Sequence, residues 1–123
     1  MTIQEALDTL DELKPNTYSV TRKVKWLSTL DGQVYREVLC CFDLAPEHFS
    51  EYDPARYLDR ELLIPAPYGE EVYTAYLQAA VDRENGETAR YNQSVGQFNT
   101  AYLRYVGDCI RSFTPKEPVQ FRF

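Results

Sequence analysis

Histidine occurs once in this chain, as His48, and cysteine three times, as Cys40, Cys41 and Cys109. These scarcities narrow the histidine- and thiol-based chemistry open to the chain. An odd number of cysteines, two of them adjacent, does not describe a secreted disulfide framework. Adjacent cysteines do not readily chelate one ion, so the three thiols with His48 do not make a zinc site. No cation stands directly beside any of the thiols to lower a pKa, and they read as free buried groups. His48, with Glu47 and Glu51 near it, reads as an exposed loop histidine. There is no glycine-rich phosphate loop, no Gly-x-Ser-x-Gly elbow and no His-Glu-x-x-His pair. The acids Glu47, Glu51, Asp53, Asp59 and Glu61 lack the central glycine and the regular spacing of a calcium loop. No catalytic residue, metal ligand or cofactor is expected.

Other absences concern partners. No apolar run approaches the roughly 18 residues of a membrane span. The opening "MTIQEALDTL" carries acids where a signal peptide has bases, so a cytoplasmic protein is expected. The thirteen basic residues form no block, and net charge is −6. Such a surface repels nucleic acid rather than gripping it.

What remains is a chain built for packing. Its 123 residues are one domain's worth, enough to bury roughly two thirds of the unfolded surface without staples. Aromatics reach 14%, high for a domain of this size, and rings suit cores and protein interfaces. The pattern predicts a mainly all-α fold. It has a four-helix core with a long antiparallel C-terminal helix hairpin, a central irregular excursion and one or two short strands. Residues 1–113 form the helical domain and residues 114–123 an extended arm.

Thr2 with Glu5 three residues later is a capping box, and Ile3, Leu7 and Leu10 share one face until Pro15 and Asn16 stop the helix. A second helix is capped by Ser19 and carries Val20, Val24, Leu27, Leu30, Val34, Val38 and Cys41 near one stripe. It continues through Gly32, because the apolar period stays in phase. From Asp43 to Asp59 the periodicity fails, which predicts a loop. "ELLIP" reads as one short strand. The tail "EPVQFRF" alternates Val119, Phe121 and Phe123 against Gln120 and Arg122, the period of a strand. It pairs with "ELLIP" or reaches another subunit.

A third helix begins after Pro65 and Pro67, with Glu70 and Glu71 at its positive end. Val72, Tyr76, Ala79, Ala80 and Arg83 line one face, with Tyr73, Leu77 and Val81 beside them. Asn85-Gly86 stops it. On the fourth helix Tyr91, Val95, Phe98, Tyr102, Tyr105 and Cys109 step by four and three, a heptad stripe. The short connection makes the last two helices an antiparallel hairpin. The stripe serves either the core of one subunit alone or that core together with a subunit interface. Candidate interface residues are Pro67, Tyr68 and Tyr73 at the start of the hairpin and Val119, Phe121 and Phe123 in the tail.

The stretch "ELLIPAPYGEEVYTAYLQAAVDRENGETARYNQSVGQFNTAYLRY" resembles small head–tail proteins of phages and prophages of Gram-positive bacteria. Leu63-Ile64-Pro65-Ala66-Pro67-Tyr68, Tyr73, Tyr76-Leu77, Asn85-Gly86-Glu87, Tyr91-Asn92, Phe98-Asn99 and Ala101-Tyr102 carry the likeness. "KVKWLSTLDGQVYREVL" looks similar to their second helix. The resemblance to this connector, or adaptor, family implies a helical structural subunit without enzymatic activity or cofactor. It implies a homo-oligomeric ring under the portal that joins capsid to tail, in the host cytoplasm and then in the virion neck. Portal or tail proteins would be its partners, with no sequence-specific nucleic-acid binding and no membrane. An acidic ring suits a channel through which DNA must slide. The alternative is an acidic regulatory or inhibitory binding protein, a DNA mimic carried by a prophage.

Overall fold

The computed structural model describes residues 1–42, 48–56 and 58–112. Four α-helices follow in order: α1 (Ile3–Leu13), α2 (Val20–Val34), α3 (Tyr68–Asn85) and α4 (Thr88–Ser112). The expected all-α architecture with a C-terminal helix hairpin is what the chain forms. The expected arm, with Val119, Phe121 and Phe123, lies outside the described residues.

Local chemistry sets the helix ends. The Thr2 hydroxyl accepts from the Glu5 amide at 3.1 Å and the Ser19 hydroxyl from the Arg22 amide at 3.2 Å. Each satisfies one donor that the first turn leaves unpaired. α2 runs through Gly32 and passes into a π-helical turn, Tyr35–Leu39, in which the Cys40 amide reaches back to the Tyr35 carbonyl at 3.1 Å. α3 ends on Gly86, whose φ of 74° is the left-handed conformation a glycine cap supplies. Two residues later α4 begins, and the hairpin closes.

α3 is the hub. It packs against α1, α2 and α4, whereas α4 packs chiefly on α3. The core joins Ile3, Leu7 and Leu10 of α1 to Val24, Leu27, Leu30 and Val34 of α2 and to Val72, Tyr73 and Leu77 of α3. Two details of the expected faces change. On α3 the flanking set, Tyr73, Leu77 and Val81, is the wholly buried one, while Tyr76 is half-buried and Arg83 exposed. A helix covered on both sides buries more than one stripe, so Arg83 is left at the edge. On α2, Val20 at the first turn is exposed.

The strand expected at "ELLIP" is a single antiparallel bridge between Thr2 and Glu61. The partner is the N-terminus: Ile3 donates to the Arg60 carbonyl at 3.0 Å and Leu62 to the Met1 carbonyl at 2.9 Å. The reason the ladder stops is visible in the next amides. Leu63 N–H donates to the Asp31 carboxylate and Ile64 N–H to the Tyr73 hydroxyl, so neither is free to extend a sheet.

Candidate functional site

Two buried carboxylates hold the elements in register. Asp31 lies on the α2 stripe, between Leu27 and Val34 at helical spacing, and is fully buried. The hydroxyls of Tyr52 and Tyr73 donate to its two oxygens, and Leu63 N–H adds a third bond at 3.0 Å. Burial raises the Asp31 pKa above the ordinary carboxylate value, and the hydrogen bonds from Tyr52, Tyr73 and Leu63 work against that rise. Burial and the neighbouring carboxylate push both tyrosines up, so they remain protonated donors. Tyr73 also accepts from Ile64 N–H at 2.9 Å. This node ties α2, the irregular segment and α3 together, and it seats the Pro65-Ala66-Pro67-Tyr68 turn. Its geometry is that of a staple: every polar atom named is directed at another within the fold.

Asp82 is the second node. It is fully buried on α3, receives an ion pair from Lys14 at the end of α1, and accepts from the Ser94 hydroxyl of α4 at 2.9 Å. One carboxylate thus joins three helices.

The irregular segment also carries anchors that periodicity does not reveal. Phe49 lies 5.9 Å from the Tyr35 ring and 5.5 Å from Tyr52, and the Arg60 guanidinium sits 4.8 Å over the Tyr52 ring. The sequence signalled them only as aromatic residues within a stretch that has no periodicity.

His48 is exposed, as its loop position suggested. Cys109 is buried in the hairpin, where burial pushes its thiol pKa up, away from a nucleophilic thiolate. Among the described residues no group of three or more His, Cys, Asp and Glu side chains is placed to hold a metal ion. No helix among them is long and apolar enough to cross a membrane.

The open surfaces lie along the hairpin. The α4 stripe divides in two. Tyr102, Tyr105 and Cys109 are buried, whereas Tyr91, Val95 and Phe98, nearer the hairpin tip, are only half-buried. Phe98 stacks on Tyr102 at 5.5 Å and meets Tyr76 of α3 at 5.4 Å. With Ala80 and Arg83 these residues line a groove of about 180 Å³. On the opposite side of the seam a wider groove of about 550 Å³ is lined by Thr74, Gln78, Gln93, Gly96, Gln97 and Thr100, with the Glu71–Arg104 ion pair, 3.3 Å, at one end. From Tyr91 to Leu103 α4 has no charged residue, although seven of the thirteen positions are exposed.

The structure separates the interface residues expected from sequence. Pro67 is exposed and Tyr68 half-buried, its ring 6.0 Å from Tyr105. Tyr73 has no accessible area and is withdrawn from that role, because the Asp31 node holds its hydroxyl inside the core. The structure adds Tyr76, Tyr91, Val95 and Phe98 as surface rings and side chains. In the sequence Tyr91, Val95 and Phe98 are indistinguishable from core, since one heptad stripe runs through fully buried and half-buried parts of the same helix. In comparisons with known proteins, no family model, no curated protein and no solved structure matches this chain.

Proposed function

We propose that this protein is a non-enzymatic assembly subunit of a phage neck, joining portal to tail as one member of a homo-oligomeric ring. The phage setting rests on the sequence likeness of the Glu61–Tyr105 stretch to head–tail connector proteins. The assembly role is supported by one feature of the fold: half of the α4 aromatic stripe, Tyr91, Val95 and Phe98, is only partly covered by the described residues of the subunit. Interfaces are rich in aromatic residues and poor in charge at their centres, and the Tyr91–Leu103 run of α4 has both properties. The two buried carboxylates are bonded within the core and line neither groove.

The test is genetic and structural together. Deleting the gene from an inducible prophage should give separate heads and tails under the electron microscope, and supplying the chain in trans should restore joined particles. Tailed, infectious particles from the deletion strain would refute the reading.

A further inference from the structure

The groove at the hairpin tip is largely apolar, and its lining residues Tyr76, Tyr91, Val95 and Phe98 are only half-buried among the described residues, which raises the question of what fills it. Its rings are already ordered by Tyr76 against Phe98 and Phe98 against Tyr102, so an occupant would meet a surface with little entropy left to lose. The best-matched chemistry in the chain is the tail "PVQFRF", which sets Val119, Phe121 and Phe123 at alternate positions. An alternating apolar set presents one face to a groove and the polar residues to water.

Reach decides whose tail it is. At 1.5 Å per residue, Phe98 and Tyr91 lie about 21 Å and about 32 Å back along α4 from Ser112. To run back beside its own helix the chain must reverse, which takes about four residues. Seven of the eleven residues from Phe113 to Phe123 then remain. At a maximum of about 3.5 Å each they span about 25 Å. Val119, three residues past the reversal, covers about 10 Å and falls short of Phe98. Phe121, at about 18 Å, also falls short of Phe98, and Phe123, at about 25 Å, passes Phe98 but stops short of Tyr91, so a copy's own tail cannot seat the three residues together in the groove. A tail from another copy has no such constraint.

We propose that the Val119-Phe121-Phe123 tail of one copy docks in the Tyr76–Tyr91–Val95–Phe98 groove of the next. Donor and acceptor surfaces are different patches, so the contact is heterologous and generates a ring when the rotation closes. This inference rests on the ring reading above and names its joint.

The experiment uses the full chain with a photoactivatable benzophenone side chain at Phe121. Natural-abundance and 15N-labelled protein are mixed, irradiated, and the cross-linked peptides mapped by mass spectrometry. The expected products join the tail to the segment containing Tyr91, Val95 and Phe98, with mixed isotope labels in about half of them, the random share for two copies. A Val95→Arg variant should lose these products while keeping the helical circular dichroism and melting temperature of the parent. Cross-links carrying a single label only, cross-links mapping elsewhere, or no cross-link at all would overturn the proposal. If the deletion phenotype is nevertheless unjoined heads and tails, the neck role stands and only this joint is wrong.

Discussion

Asp31 shows what one misplaced-looking residue does. A carboxylate on an apolar stripe is costly to bury, and it is retained here because three donors converge on it. Replacing Asp31 by Ala leaves two buried tyrosine hydroxyls and a backbone amide without their acceptor. The expected loss is about 3 kcal/mol of unfolding free energy, read from urea denaturation. The charge itself acts in the opposite direction. Because the native pKa is raised, the native state takes up a proton more readily than the unfolded chain. This contribution to stability is fully present below the unfolded value of 3.8 and is lost as pH rises through the native value. An Asp31→Asn variant lacks that titration. The stability of the parent relative to Asp31→Asn should therefore fall as pH rises across that window, and a difference that grew with pH would contradict the burial-dominated shift.

At the scale of elements, two glycines of similar appearance in sequence have opposite roles. A Cβ on Gly69, in the first turn of α3, would stand 2.5 Å from the Ile64 carbonyl oxygen, a backbone atom that cannot swing aside. Gly96, mid-way along exposed α4, has nothing within 4 Å of the same added atom. Gly69→Ala should destabilise by about 2 kcal/mol through overpacking against the turn. Gly96→Ala should stabilise by about 0.8 kcal/mol through helix propensity. Paired thermal melts distinguish the two, and equal shifts would mean the turn is not held against α3. The Lys14–Asp82 pair is the comparable test between helices. Lys14→Met alone strands a buried charge and should cost about 3 kcal/mol, whereas adding Asp82→Asn should recover much of it. Helix existence, caps and the hairpin were legible in the sequence because each has a local cause: Thr2, Ser19, Gly86 and the apolar period. The Asp31 and Asp82 nodes were not, although each sits at helical spacing among apolar or small residues. Their partners come from segments 21 and more residues away for Tyr52 and Tyr73, and 68 away for Lys14. The strand at "ELLIP" failed for the same reason: its pattern is right, but distant side chains take its amides.

For the whole molecule the governing quantity is a net charge of −6 set against an uncharged run on the longest helix. Like-charged copies repel, and the repulsion is long-ranged at low ionic strength, with a screening length of about 10 Å at 0.1 M salt. An interface made of rings and aliphatics does not depend on ion pairs, so salt weakens what opposes association and leaves what drives it intact. Self-association should therefore strengthen on going from low to moderate salt, measured by sedimentation velocity across a concentration series. Were assembly driven instead by pairs such as Glu71–Arg104 exchanged between copies, the same salt step would weaken it. The sign of that one slope distinguishes apolar from ionic adhesion between copies. A Phe98→Ala change should lower association at every salt concentration and leave the slope unaltered, because it removes contact area and no charge.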